Sequence, residues 1–417
     1  MTDLHFPPGF LWGASTASHQ VEGGNRHNDW WDAEQNGRVP YCSGSACKHY
    51  ELFRQDFDLA RSWGHNAHRF SVEWSRVQPE WNRWDSAALD HYLDVVVALR
   101  ERGLEPVVTL HHFTNPAWFT RAGGWQRKDS AELFNGYVDR VVRTFGDRVR
   151  FWLTVNEPTV YVKQGYVTGE WPPFRSGKWR EAWAAMRNLA RAHRMSYHTI
   201  HEANPRGLVS FAHNAPAVEP CRPWSRTDRL AAAARDWVLN RLFFRLTGLQ
   251  TLDFIGINYY TRTVVRSEGG LSTRILGAVC RSHRHSSQGP VSQVGWESYP
   301  HGFGEVLHRF GRLGLPVLVT ENGFATDDEQ LRLEFIKRHL EILAGAVQSG
   351  VDLIGYLYWT LMDNFEWNEG PNARFGLAAV DFETQTRTAR PCVDYLSQVF
   401  GKTRSEARNR SEGTAAA

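Results

Sequence analysis

Eight short, β-prone apolar runs recur along the chain, each breaking off at polar residues and each followed by a stretch of helical spacing. No other property of the sequence narrows the fold as far. The strand-like runs fall at residues 10–15, 67–73, 106–110, 150–155, 208–211, 254–257, 316–320 and 353–358. Several are apolar on consecutive positions, as expected of strands covered on both faces of a parallel sheet. Helical spacing occupies residues 48–63, 86–102, 130–145, 179–203, 227–246, 302–310 and 328–348, and 391–400 closes the series. Gly64 and Gly103 stop the first two helices, and Ser130 is expected to cap the third. This order predicts an α/β fold, a single (β/α)8 TIM barrel over residues 1–400. The alternative, an open doubly wound sheet, would normally show a Gly-rich phosphate loop after an early strand, and the sequence has none.

Length alone, at 417 residues, would suggest two or three domains, but α/β barrels routinely exceed that prior as single units. Composition does not shift until residue 401, and the polar tail 401–417 is expected to be disordered. No apolar run approaches membrane-spanning length, and residues 1–12 lack a basic patch followed by an apolar segment, so a cytoplasmic location is expected. Lys plus Arg (48) and Asp plus Glu (45) nearly balance, which argues against nucleic acid or an anionic membrane as the main partner. Oligomeric state is not legible. Five cysteines make no disulfide framework, and Cys42 with Cys47 lacks the spacing and second pair of a zinc site, so reduced thiols are expected. His193, His198 and His201 share one predicted helix without a carboxylate–histidine motif, and neither a metal nor another cofactor is expected.

The chemistry is concentrated where two of the runs stop. One delivers Asn156-Glu157-Pro158, and another, far downstream, delivers Glu321-Asn322-Gly323. Two carboxylates at the same rim of a parallel barrel are the minimum equipment for glycoside hydrolysis, one to protonate a leaving oxygen and one to attack or activate water. Taken singly, either glutamate also suits a salt bridge or a helix cap. Trp118, Trp125, Trp171, Trp359 and Trp367 fall in or beside predicted loops, where an indole can stack on a sugar or pack the rim.

Thr154-Val155-Asn156-Glu157-Pro158 and Thr320-Glu321-Asn322-Gly323 resemble the acid/base and nucleophile motifs of glycoside hydrolase family 1, the β-glucosidase family. The likeness runs from Phe10-Leu11-Trp12-Gly13 to the closing helix, with motifs in family order. It implies a retaining β-glycosidase acting on a small carbohydrate substrate, with Glu157 as acid/base and Glu321 as nucleophile. By the same resemblance, Arg69 and Tyr260 would hold the nucleophile ionised and aimed, and Asn156 would bond the sugar 2-hydroxyl. Gln20, His112, Glu366 and Trp367 would bind the far side of the ring, Trp359 would floor it, and Asn258 would lie near the same hydroxyls. His111, next to His112, points the other way if strand-like and reads as structural. A non-proline cis bond between Trp359 and Thr360 is also implied. Residues 363–375 hold no Lys or Tyr of the kind phospho-glycosidases use, and Arg374 is the one residue there that could offset a phosphate charge. Thioglycosidases characteristically replace the acid/base Glu with Gln, and a binding-only relative would have lost a carboxylate; both glutamates are present. Departures from the family pattern are a shorter chain, the His111-His112-Phe113 form of a subset of members, and individual loops at 170–176 and 266–295, which would shape the aglycone side.

Overall fold

Strands that are apolar on both faces leave no face fit for water, and closing the sheet on itself under a ring of helices hides both. The computed structural model describes residues 4–280 and 289–415, and it has that closure. Strands β1 (Leu11–Ser15), β2 (Ala67–Ser71), β3 (Glu105–Thr109), β4 (Phe151–Asn156), β5 (Leu208–Asn214), β6 (Ile255–Asn258), β7 (Val317–Asn322) and β8 (Leu353–Trp359) pair in chain order. Every pairing is parallel, and β1 pairs with both β2 and β8, so the barrel has no edge. This is a (β/α)8 barrel.

Ala67, Val107, Leu153, Phe254, Leu318 and Leu357 cluster along the strands as an inner layer, separate from the larger core shared with the helices. Helix Ser130–Phe145 shows how that outer layer forms: Phe134, Tyr137, Val138, Val141, Val142 and Phe145 fall on one buried face. Each such side chain contributes about 1.5–3 kcal/mol when buried. Its start differs from the sequence expectation. Ser130 is the first helical residue rather than the cap, because its hydroxyl donates to the Arg127 carbonyl at 2.9 Å. Asp129 takes the cap position, but its carboxylate is held by the Arg127 guanidinium.

Helix Trp179–Ala203 has the predicted bounds, whereas the stretch expected at 227–246 divides into Arg226–Asn240 and Leu242–Thr247. At the break Asn240 turns its amide to the Pro216 carbonyl, and Arg241 leaves helical geometry. Around the loop read as featureless at 266–295, Arg262–Arg266 is the middle strand of a small rim sheet. Ala217–Pro220 lies parallel to it on one side and Ala278–Val279 antiparallel on the other. Residues 281–288 of that loop lie outside the described residues. The closing helix is Cys392–Ala415, so helical backbone continues past residue 401, where the sequence reading placed a disordered tail. The sequence there has no proline and is rich in Ala, Arg and Glu, which favour helix; residues 416–417 lie outside the described residues. No helix among the described residues is long and apolar enough to cross a membrane.

Two irregularities aim the chemistry. β4 shifts register against β5 between Leu153 and Asn156, and β7 shifts against both neighbours after Val319. Strict alternation from inward-facing Leu318 would turn Glu321 toward the helices. The shift lets Thr320 and Glu321 both bond groups at the barrel mouth, as bulges beside active sites do. Gly323 is required just beyond: a Cβ there would stand 1.9 Å from the Trp359 carbonyl oxygen. The Trp359–Thr360 bond is cis, as the resemblance implied.

Candidate active site

Arg69, at the third position of β2, is completely buried and spends its guanidinium at the mouth. It donates to Glu321 Oε1 at 2.5 Å, to the Thr320 carbonyl at 3.2 Å, to Asn156 Oδ1 at 2.6 Å and to Thr109 Oγ1 at 2.9 Å. Tyr260, two residues beyond β6, donates to Glu321 Oε2 at 2.5 Å. Both oxygens of Glu321 are therefore gripped by strong donors. Burial raises its pKa from the ordinary carboxylate value, while the Arg69 charge and the bonds from Tyr260, Arg69 and Asn258 oppose that rise.

Glu157 has different surroundings. Asn258 donates to its Oε1 at 2.8 Å, Asn214 is a second hydrogen-bond partner, and Thr320 Oγ1 anchors Asn258 through its Oδ1 at 2.6 Å. No cation bonds it directly among the described residues. Burial first, and then the charge of Glu321, push Glu157 to about 8. When one proton is shared between the two carboxyls it belongs on Glu157. The pair is thus one neutral acid beside one carboxylate held by a guanidinium and a phenol.

A polar wall stands on the other side. Gln20 donates to Glu366 Oε2 at 2.9 Å and to Asn364 Oδ1 at 3.3 Å, and Trp359 also bonds Glu366. Asn156 has its oxygen occupied by Arg69 and Asn258, so its amide nitrogen faces His112 Nε2 at 3.2 Å. Burial, with Arg69 and His111 nearby, holds His112 well below its ordinary pKa, hence neutral, with its proton on Nδ1. That Nδ1 and Gln20 Oε1 are buried without a hydrogen-bond partner among the described residues. One is a donor and the other an acceptor. Burial and the Glu321 charge push Glu366 to about 8 as well. The Glu321 carboxylate is the main source of negative charge acting on this side of the mouth. Arg374 does not relieve it, since its guanidinium faces Asp327 and Asp363, each at 3.7 Å.

All eleven site residues named from the sequence belong to this network or its aromatic wall. Trp359 lies nearly parallel to His112 with ring centroids 5.8 Å apart, and Trp367 is inclined 9° to His19 and 15° to His112. Asn258 bonds Glu157 and Asn156. His111 bonds Asn115 and packs on Trp125 and Tyr161, in keeping with a structural part. Trp125 is fully buried among Phe119, Phe134 and His111, so it packs the rim rather than facing a sugar. Asn214, Thr320, Thr109 and His19 were not singled out. Asn214 ends β5 in the same strand-to-polar pattern that exposed the glutamates, which is the signal that could have found it. No group of His, Cys, Asp or Glu suited to a metal occurs among the described residues. A separate cavity of about 380 Å³, lined in part by Asp29, Arg38, Tyr166 and Phe174, contains none of the eleven.

The profile of Glycosyl hydrolase family 1 matches residues 2–250 and 245–405. Beta-glucosidase A of Thermotoga maritima is 30% identical over 94% of this chain and 97% of its own length. A Pyrococcus woesei beta-galactosidase is 28% identical over 92% of this chain and 94% of its own. Among solved structures, a beta-glycosidase from Pyrococcus horikoshii superposes with a TM-score of 0.88 at 38% identity, covering 98% of each chain. The chain belongs to glycosyl hydrolase family 1 and is a β-glycosidase acting on O-glycosidic bonds.

Proposed function

We propose that the protein hydrolyses terminal β-linked neutral sugars with retention of configuration, Glu321 acting as nucleophile and Glu157 as acid/base. The unequal settings of the two carboxyls carry this reading: Glu321 is gripped by Arg69 and Tyr260, whereas Glu157 is pushed to about 8. In the first step the Glu321 carboxylate attacks the anomeric carbon, and the Glu157 proton passes to the departing oxygen. Once Glu321 is an ester its charge is gone, so one of the causes that raised Glu157 disappears. Glu157 then serves as base toward water in the second step. Asn156, held by Arg69 and Asn258, presents its amide for the 2-hydroxyl, while Gln20, His112 and Glu366 take the far hydroxyls. Proton NMR of an aryl β-glucoside digest tests the stereochemistry: β-glucose is expected as the first-formed anomer, and α-glucose first would overturn retention. β-Galactosides and β-fucosides are expected to be accepted too, a breadth supported by the two kinds of named relatives.

The same site is expected to reject 6-phosphorylated glycosides. A phosphate on O6 brings −1.5 to −2 charges toward a wall where burial and Glu321 already oppose ionisation of Glu366. Arg374 is engaged by Asp327 and Asp363. Aryl β-glucoside should be hydrolysed at least about a hundredfold more efficiently than its 6-phosphate, equivalent to ~2.7 kcal/mol in the transition state. Comparable kcat/KM values would refute the neutral-sugar assignment and leave the catalytic pair untouched.

A further inference from the structure

The small rim sheet brings together two thiols that are distant in sequence. Cys221 follows Ala217–Pro220 and Cys280 follows Ala278–Val279, the two strands that flank Arg262–Arg266. Backbone bonds fix both to that middle strand, Cys221 N–H to the Val265 carbonyl at 2.7 Å and Cys280 N–H to the Val264 carbonyl at 2.8 Å. Their sulfurs lie 3.0 Å apart across a sequence separation of 59. Both residues are half-buried, so a small reagent can reach them. Cys47 differs: its sulfur donates to the Asp363 carbonyl in a fully buried position.

We propose that Cys221 and Cys280 form an oxidation site that closes to a disulfide on encounter with a low-molecular-weight disulfide. One thiol loses its proton and attacks a sulfur of oxidised glutathione, expelling one glutathione thiolate. The second, deprotonated, attacks the protein sulfur of that mixed disulfide and expels the other glutathione thiolate. The two protein thiols are oxidised by two electrons, and oxidised glutathione is reduced to two glutathione molecules. The sulfurs stand about 1 Å beyond a disulfide's S–S bond of ~2.05 Å, and backbone bonds tie both chains to the same middle strand. Burial and the Cys280 thiol push Cys221 up to about 11, so the exchange should speed up as pH rises from 7 to 9.

The bond would staple a weakly paired part of the rim. Ala278–Val279 supplies only two residues to the sheet, and the middle strand begins two residues after Tyr260, which grips Glu321. Arg262 in that strand is also ion-paired to Glu219 and Glu297. A covalent loop of this length restricts the unfolded chain, so oxidised protein should melt higher.

The test is to incubate reduced full-length protein with oxidised glutathione at pH 8 and digest it without reductant. A linked peptide pair carrying Cys221 and Cys280 is expected. It should come with a melting temperature raised by about 3–6 °C and reversed by dithiothreitol. Cys221→Ser and Cys280→Ser should each abolish both effects, and Cys42→Ser should abolish neither. Persistent glutathione adducts on the two residues without a link, or linkage to any other cysteine, would overturn the site. A link with no change in melting temperature would overturn the staple.

Discussion

Glu321→Ala is expected to lower kcat/KM for aryl β-glucosides by at least about ten-thousandfold, ~5.4 kcal/mol of transition-state stabilisation, because no covalent glycosyl-enzyme can form. The loss has two physical parts. The attacking oxygen is gone, and the buried Arg69 guanidinium is left facing a vacated space with its charge uncompensated. A small anion such as azide addresses both at once, since it can sit beside Arg69 and attack the anomeric carbon from the vacated side. Added azide should therefore restore part of the turnover and yield the α-glycosyl azide, identified by NMR. A folded Glu321→Ala protein with near-normal hydrolysis would remove Glu321 from the mechanism. Loss of activity with the β-azide as product would assign the nucleophile to the opposite face.

The second large effect belongs to Glu157→Gln, and it depends on the leaving group. An amide cannot deliver the proton, so alkyl β-glucosides should lose about a thousandfold in kcat/KM, while dinitrophenyl glucosides, whose phenolate leaves unaided, should lose less than about tenfold. The pH profile supplies an independent reading. With Glu157 as the acid, the active form of the parent protein is the one with Glu157 protonated, so kcat/KM should be lost as pH rises through about 8. Glu321 must be ionised, and its pKa is raised, so activity is also lost as pH falls toward that group's value. Glu157→Gln should erase the alkaline limb and leave the acid limb in place. Equal losses on both substrate classes, or an alkaline limb that survives the substitution, would exclude Glu157 as the acid.

Much of this was legible in the sequence because the barrel repeats one local rule eight times: an apolar strand delivers its polar residues to one rim. Glu157, Glu321, Asn258 and His112 are all found by that rule together with the motifs around them. What period alone could not supply is direction. Counting by twos from Leu318 turns Glu321 outward, and only the register shift in β7, a property of three strands together, turns it back. Partner identity was hidden for the same reason: Asn258 is visibly at a strand end, but that it bonds Glu157 depends on Thr320 fixing its amide from the next strand. Trp125 stayed open between the two readings because its loop position is local whereas its aromatic neighbours come from Phe134 and His111, elsewhere in the chain. The rim sheet escaped because its strands have four, five and two residues and are only partly buried, too short to show a period.

Glu157 itself occupies a backbone conformation that glutamate does not favour, with φ 42° and ψ 58°, at the residue that leads into the short helix Pro158–Val162. Left-handed geometry of this kind costs a side-chain-bearing residue about 1 kcal/mol or more, and glycine or asparagine would relieve it. The position also obliges a carboxyl to lie out of water beside another carboxyl. Heat resistance and turnover therefore pull in opposite directions at this one residue. A library of substitutions sorted only for resistance to unfolding would drift away from glutamate here, toward folded barrels that no longer cleave, so thermal selection on this scaffold has to be coupled to a screen for hydrolysis.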